Sequence, residues 1–449
     1  MSFWKKVLLN FIVFVVSFPL CVYGAEAAAS VGEKGGRLLT IPEGISIVLK
    51  DSRLIKIETF GKDMSFDDTL IALSPLLPHL SANIGKTYQR YTPTMMFGSM
   101  AVPMGDQNPV SGGIDIYQTL FDFGRSISNY KASTEMLNAR KASVESVKRT
   151  VTLEFVVSYF DLLETEKMID VAKKEVDSLT SYLNDMQHLY EQGVIVENDL
   201  LPAKVKLADA RQKLIASGNR REIVAAGINT MLTMPLTEDV TTRDVNTQMP
   251  ALPELTDAWS SAEAKRPEIL FFNKQIKSSA LREQARTVQN LPTVFVDGGY
   301  AYTQNQYMVH EDNAYVKFGA KMDLYDGGAT GAEIMKERSL NKQLQEQRNK
   351  IVEDIRYEVK RSFLGLKDAI EKLEVAKGAL RQAEENLRFY RVKYNNGVAT
   401  STDVLEAINL QTKAETNYYS AEYELKRCYA KLVYSMGDDL VSIYNETEK

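Results

Sequence analysis

The chain has 449 residues, with 54 Lys and Arg against 59 Asp and Glu, and a formal net charge of −5. This mildly acidic balance argues against nucleic acid as a partner. The histidines His79, His188 and His310 lie far apart, and no phosphate-binding glycine loop or nucleophile elbow is present. Composition and motifs therefore give no support to an enzyme, a metal site or a bound cofactor.

Residues 1–24 have the layout of a secretory signal peptide. Two lysines precede an almost wholly apolar run from Val7 to Tyr23, which would be short for a membrane anchor. We expect cleavage after Gly24 or Ala25, with Ala27 as an alternative, and a mature chain of net charge −7 without the two lysines. Downstream, no apolar segment of about 18 residues follows, so no transmembrane helix is expected in the mature chain.

The two cysteines bear on lipidation and on disulfide formation. Cys21 follows the bulky Leu20, whereas lipidation requires a small residue before the cysteine, so a lipoprotein is the less favoured interpretation. The mature chain keeps Cys428 alone and can form no internal disulfide.

An internal repeat with an offset of 204 residues runs through the chain. The motif "LFDFG", ending at Gly124, recurs as "LYDGG", ending at Gly328, and each copy lies 69 residues before a second paired glycine. The pattern predicts a first repeat over 25–236 and a second over 256–438. The residues that recur around the second glycine are Tyr190, Gly193, Val194, Asp199, Leu201 and Ala203, which reappear as Tyr394, Gly397, Val398, Asp403, Leu405 and Ala407.

Between the paired glycines the sequence predicts very long helices, over 125–190 and 329–394. Neither stretch contains proline, and in the second, leucines recur every seven residues with small or aromatic residues three positions later, which is a coiled-coil pattern. Such a helix spans roughly 100 Å, which suits a tube or tether better than a globular domain. The leucines are Leu366, Leu373, Leu380 and Leu387.

Four further helical runs are about half as long. Two of them placed end to end match one long helix, so residues 237–255 are predicted to form an irregular equatorial linker at mid-height, near both termini. Residues 439–449 are expected to be a C-terminal tail. The half-length runs are 41–73, 199–232, 256–290 and 403–436.

A pair of strands is predicted before each long helix, at 79–91 and 111–122 and at 293–304 and 314–325. In the last of these, apolar and polar residues alternate over eleven positions with charges on one face, as in a strand between lipid and water. Two soluble hairpins packed on a core would alternate equally well. Four strands are too few to close a membrane barrel, so a membrane interpretation requires several subunits to pool their strands.

These features together resemble the TolC-type outer-membrane efflux protein family, over about residues 38–438. The resemblance rests on "SPLLPHL" at Ser74–Leu80, the two glycine motifs, "RPEI" from Arg266, "NLPTV" from Asn290 and the paired turns "YEQGVIVENDLL" and "YNNGVATSTDVLEA". It implies a homotrimer with a 12-stranded barrel in outer-membrane lipid, continued by a helical barrel through the periplasm. It also implies a periplasmic adaptor and an inner-membrane pump as partners, and hence an export duct for efflux or type I secretion.

Other protein classes share part of the pattern. A periplasmic coiled-coil structural or adaptor protein would have the helices but not the duplicated strand pairs. A secreted hydrolase would need a convergent catalytic cluster, which the sequence does not offer. A passive duct takes its selectivity from its pump, so the sequence leaves the cargo open among drug, metal, lipid and polypeptide.

The resemblance places a periplasmic gate at the two turns. Gly193 and Gly397 form the tip turns, where positive φ requires glycine. Tyr394 and Asp199 match family positions that hold the tip closed, although Asp199 is equally well explained as a helix N-cap.

Asp403 and Glu406 match the acidic constriction of the family, the alternative being a helix cap and a solvated neighbour. They stand three residues apart and so share a helical face. Threefold symmetry would gather six carboxylates around one axis, which favours cations. Family members often carry arginine where this chain has Ala399, so any closed-state lock here has fewer ionic ties.

Overall fold

The structure is a computed structural model that describes residues 37–244 and 252–446. The predicted signal peptide, Cys21 and part of the predicted linker lie outside the described residues. Helices dominate, and the elements follow one another as two similar halves. The helices are α1 Ile41–Asp51, α2 Arg53–Leu73, α3 Arg125–Glu191, α4 Glu197–Leu232, α5 Leu255–Lys265, α6 Pro267–Thr287, α7 Ala329–Asn395, α8 Ser401–Ser435 and α9 Leu440–Glu446. The strands are β1 Arg37–Leu39, β2 His79–Lys86, β3 Thr94–Phe97, β4 Met100–Pro103, β5 Val110–Phe121, β6 Val240–Thr242, β7 Thr293–Thr303 and β8 Asp312–Lys321.

Each half contains one helix of 67 residues, α3 and α7, which turns back into a helix about half as long, α4 and α8. The heptad pattern accounts for the packing of α7. Leu366 and Leu387 are buried, the leucines between them are half-buried, and most of the charged residues in between are exposed. Shorter helices extend the two hairpins towards the sheet, with α2 and α6 packed on α3, and α6 on α7.

Two of the predicted half-length helices are interrupted. The run 41–73 breaks at Ser52, between α1 and α2, and the run 256–290 breaks at Arg266. The second break has a simple cause, because Pro267 lacks the N–H that would continue α5 and disfavours helical backbone at Arg266. The chain before Pro267 is instead held by the Arg266 guanidinium, which contacts Glu268 at 3.0 Å and Glu358 at 3.1 Å.

The start of each long helix shows why the motif "D-x-G" is repeated. Asp122 accepts a hydrogen bond of 2.8 Å from the backbone N–H of Ser126, and Asp326 accepts one of 2.8 Å from the N–H of Thr330. Each aspartate therefore caps the first turn of α3 or α7. Hydrogen bonds from the side chain and the backbone N–H of Thr330, with a smaller contribution from the Gly328 N–H, lower the pKa of Asp326 to about 2.

The two long hairpins are joined by a large core at mid-length. It includes Phe155, Tyr159 and Phe160 of α3 together with residues from both ends of the described chain, Leu39 and Tyr444. The segment expected to be a C-terminal tail thus contains α9, whose Tyr444 is buried in this core because its ring packs on Phe160. β1 and β6 form a two-stranded sheet beside it, and the Tyr159 hydroxyl donates to the Leu39 carbonyl at 2.9 Å.

The four longer strands form one antiparallel sheet in the order β2-β5-β7-β8. β2 was predicted to reach residue 91 but ends at Lys86, where its partner β5 begins at Val110; β8 ends at Lys321 opposite Thr293, the first residue of β7. The segment between the first two predicted strands, residues 92–110, contains a small hairpin, β3–β4. Within the described chain β2 and β8 are the edges of this sheet, so the barrel is not closed by one chain.

Candidate functional site

The far ends of the two helical hairpins carry matching turns. Gly193 and Gly397 have φ values of 73° and 69°, which lie in the left-handed region and explain why glycine recurs there. In each turn the residue after the glycine donates its N–H to a helix carbonyl five positions earlier, Val194 to Leu189 and Val398 to Lys393, both at 2.9 Å. The turns are therefore closed C-terminal caps of the long helices.

Asp403 lies at the third position of α8 and not at its N-cap, which is Thr400. Its carboxylate accepts from the Thr400 N–H at 2.8 Å and from the Thr400 hydroxyl at 2.7 Å, while its own N–H donates to that hydroxyl at 3.3 Å. This is a capping box, and its signature Thr-x-x-Asp is readable in the sequence. Hydrogen bonds from Thr400, with a smaller contribution from Lys393, lower the pKa of Asp403 below its usual value.

Asp199 occupies the equivalent position in α4 with a weaker cap. Its carboxylate accepts from the Val196 N–H at 3.3 Å, but Val196 has no side-chain acceptor to return the bond. The explanation of Asp199 and Asp403 as N-caps is therefore wrong by three positions, although both do satisfy backbone N–H groups at a helix start.

The acidic pair of α8 faces away from the tip core, the hydrophobic cluster that the two hairpins form near their turns. Val404 and Leu405, between Asp403 and Glu406, and Ala407 and Ile408, after them, are all buried against the other tip helices. Glu406 is exposed and Asp403 is partly exposed. The two carboxylates therefore lie on the face of α8 that points away from this core.

Tyr394 joins the two hairpins. Its ring lies 5.7 Å from that of Tyr182 on α3, at an interplanar angle of 59°. The Tyr182 hydroxyl donates to the Ser401 carbonyl at 3.1 Å, and burial raises the pKa of Tyr182, so this phenol stays neutral at physiological pH. Within one chain Tyr394 is thus held by Tyr182 and Asp199 by Val196, and the two predicted lock residues have different partners.

A polar cleft of about 320 Å³ opens beside this tyrosine pair, between α3 and α7. Sequence reasoning missed it, as it missed Tyr182, because residues more than 200 positions apart become neighbours only when the hairpins dock. The charged, imidazole and amide side chains that line it are Asp185, His188, Arg391 and Asn395.

The sheet presents two chemically different faces. On one face Val316 and Phe318 of β8 are exposed, in line with Val296 of β7. On the other, Lys317 stands opposite Asp297. Asp115 also lies on this polar face and accepts from Asn83 and from the Tyr315 hydroxyl, each at 3.0 Å. The sheet is therefore apolar on one side and hydrogen-bonded and charged on the other, as a strand between lipid and water requires.

Among the described residues, no cluster of three or more His, Cys, Asp and Glu side chains could hold a metal ion. None of the described helices is both long and apolar enough to cross a membrane.

Comparison with known proteins identifies the family. The family model "Outer membrane efflux protein" matches residues 48–232 and 258–438, most of both halves. The chain is 20% identical over 429 residues to the outer membrane protein TolC of Salmonella enteritidis, covering 90% of this chain and 84% of that protein.

Solved structures share the fold at low sequence identity. The outer membrane protein VceC of Vibrio cholerae aligns with a TM-score of 0.78 at 13% identity, covering 89% of this chain and 96% of that one. The open state of the MtrE outer membrane channel of Neisseria gonorrhoeae aligns with a TM-score of 0.74 at 16% identity, covering 89% of each chain. The predicted fold class, outer-membrane location and role as an efflux channel subunit are confirmed. The chain belongs to the outer membrane efflux protein family.

Proposed function

We propose that three copies of this chain form one export duct, with their twelve long strands closed into a single barrel in the outer membrane. The observation that carries this proposal is the four-stranded sheet with an apolar face and two edge strands, β2 and β8, each of which is paired on one side only within the described chain. Hydrocarbon does not tolerate unpaired backbone groups, so an apolar sheet of this kind needs neighbours at both edges. Pairing β2 of one copy with β8 of the next satisfies both edges with one repeated contact.

The helical hairpins continue this duct through the periplasm. A helix of 67 residues spans about 100 Å. The leucines of α7 that are half-buried in one chain would be covered by neighbouring copies. We assign the energy source for export to two partners, a periplasmic adaptor and an inner-membrane pump, as the family resemblance implies. The exposed turns 192–196 and 396–401 are the surfaces that would meet the adaptor.

The periplasmic mouth is closed by the tips in the resting state. Asp403 and Glu406 from three chains would surround one axis and form an acidic constriction that attracts cations. Tyr394, packed on Tyr182, and Asp199, at the start of α4, would hold the tip helices in the closed arrangement. Gly193 and Gly397 shape the turns and need not touch the cargo.

Membrane fractionation and mass measurement test the assembly. The wild-type protein should fractionate with the outer membrane and give the mass of a trimer after gentle detergent extraction. Phe318→Lys should reduce insertion, because a lysine facing lipid near the mid-plane costs about 2–4 kcal/mol, whereas Lys317→Gln on the opposite face should insert normally. A monodisperse monomer in the soluble periplasm would overturn the proposal.

A further inference from the structure

The loops at the barrel end farthest from the helical tips expose an unusual amount of apolar surface. In the β3–β4 hairpin, Met96, Phe97 and Met100 are 64%, 60% and 68% exposed, and Val309 in the loop before β8 is 93% exposed. Isolated exposed apolar residues are ordinary, but Phe97 and Met100 are cross-strand partners, and adjoining apolar side chains exposed in this way mark a surface that something covers. We call residues 87–109 and 304–311 the rim loops.

Hydrogen bonds hold the two rim loops of one chain together at their bases. The Asn305 side chain, which is buried, donates to the Met104 carbonyl at 3.1 Å, and the Gln306 N–H donates to the Asp106 carboxylate at 3.3 Å. The Met104 N–H in turn donates to the Pro93 carbonyl at 2.7 Å. These hydrogen bonds fix the base of the β3–β4 hairpin, so its exposed apolar side chains have a defined position.

The order of the strands in the sheet determines which loop of the neighbouring subunit each rim loop meets. The first rim loop joins β2 to β5 and the second joins β7 to β8, so their bonded bases lie above the β5–β7 pair. Their other sides lie above β2 and β8, the two edges of the sheet. When β2 of one copy pairs with β8 of the next, the first rim loop of the one stands beside the second rim loop of the other.

Charged residues at the strand ends argue against lipid hydrocarbon as the surface that covers the β3–β4 hairpin. Lys86 ends β2, and Glu311 and Asp312 stand where β8 begins, so polar groups separate the apolar face of the sheet from the hairpin. Lys86 and Asp312 also carry opposite charges at the two edges that would meet. The hairpin lies beyond this charged rim, where another protein surface is the suitable apolar partner.

We propose that the apolar tip of the first rim loop packs against Tyr307, Met308 and Val309 of the next subunit, forming a collar that fastens the subunits at the outer end of the barrel. This inference rests on the proposed trimer, and it assigns a contact that the strand pairing alone does not require. In this collar, apolar side chains of the two subunits pack against each other next to the β2–β8 strand pair.

Thiol cross-linking tests the collar. In a Cys428→Ser background, Met96→Cys combined with Val309→Cys should give covalent dimers and trimers with a short bismaleimide, and each single variant should stay monomeric on a denaturing gel. Asn108→Cys combined with Val309→Cys is the matched control, because Asn108 lies at the β5 side of the same loop, and it should give no intermolecular product.

Two further results would contradict the collar. Cross-linking of Met96→Cys alone would mean that the three hairpins meet one another over the pore. A spin label at residue 96 relaxed more by oxygen than by a water-soluble nickel complex would mean that lipid covers the patch. The native mass of the same sample separates the hypotheses: a trimer without the cross-link overturns the collar alone, whereas a monomer overturns the proposed function as well.

Discussion

The rings of Tyr182 and Tyr394 lie 5.7 Å apart, and they connect the two helical hairpins immediately above the turns where both reverse. Each tyrosine comes from a different repeat, so the contact exists only when the hairpins lie side by side. The tip core around them includes Met186, Leu200 and Val404 and lies apart from the mid-length core. The tip can therefore loosen without unfolding the rest of the molecule.

Loss of the tyrosine pair should favour the open tip. Tyr394→Ala removes a tilted aromatic contact of about 0.5–1.5 kcal/mol, and about 1 kcal/mol changes a two-state ratio roughly fivefold. We expect a several-fold larger open fraction in planar-bilayer recordings, and a smaller effect for Tyr182→Phe, which keeps the ring and loses the bond to Ser401. Phe389→Ala, at an exposed site on the same helix, is the control. An unchanged open fraction in Tyr394→Ala would remove this residue from the lock.

A side chain at a tip glycine should destabilise the turn, because the backbone there has a positive φ. At Gly397 the φ of 69° is strained for alanine, so Gly397→Ala should destabilise the tip by about 1–2 kcal/mol. Gly378→Ala inside α7 meets nothing within 4 Å and should stabilise the helix by up to about 1 kcal/mol. Limited proteolysis at the turn compares them, with faster cleavage expected for Gly397→Ala only. Equal cleavage of the two variants would contradict the assigned role of the turn.

Alternation along β8 predicts a labelling pattern. In a Cys428→Ser background, cysteines at 315, 317 and 321 face the polar side of the sheet and should react with a membrane-impermeant thiol reagent, whereas cysteines at 316 and 318 should not. Uniform labelling would indicate a soluble hairpin. The test uses intact trimers in membranes, since detergent exposes both faces.

Arg427 should contribute more to stability than an ordinary surface arginine. It contacts Asp161 at 2.8 Å and Glu424 at 2.9 Å, and also Glu164, and so bridges α3 and α8. Arg427→Gln leaves three clustered carboxylates, and after a discount for their partial exposure we expect a loss of about 1–3 kcal/mol. Arg388→Gln removes an exposed pair with Glu385 and should change the melting temperature little. Equal melting temperatures would mean that solvent screens the Arg427 cluster as well.

The sequence predicts the architecture far better than the contacts. Heptads and strand alternation are local periodic signals, so the long helices and the two-faced sheet are readable from one chain. The β3–β4 hairpin was not predicted, because two four-residue apolar strands beside Gly98 show no distinctive period. Tyr182 was not predicted because its role depends on Tyr394, 212 positions away. The alternative explanation of Asp403 as the N-cap was wrong by three positions, because the preceding Thr400 was not considered as the cap.

Asp403 and Glu406 should control cation block of the duct. The double change Asp403→Asn and Glu406→Gln should abolish most block by a trivalent cation while leaving the trimer intact. Six carboxylates in a narrow mouth attract a multivalent ion strongly, whereas dispersed surface charges are screened beyond about 8 Å at physiological salt. The measurement is conductance of purified trimers in planar bilayers with the trivalent cation on the periplasmic side.

The pH dependence of block separates Asp403 from its neighbours. Because hydrogen bonds from Thr400 lower the pKa of Asp403, this carboxylate keeps its charge to lower pH than an ordinary aspartate, and its contribution to block is lost only as the pH falls through that lowered pKa. Thr400→Val removes the hydroxyl bond, so the acidic loss should move to higher pH, and Asp403→Asn should remove it. Glu384→Gln with Glu385→Gln, on α7 away from the turn, should leave both block and its pH dependence unchanged. Undiminished block in the Asp403 and Glu406 double variant would place the constriction elsewhere and leave these residues as a helix cap and a solvated neighbour.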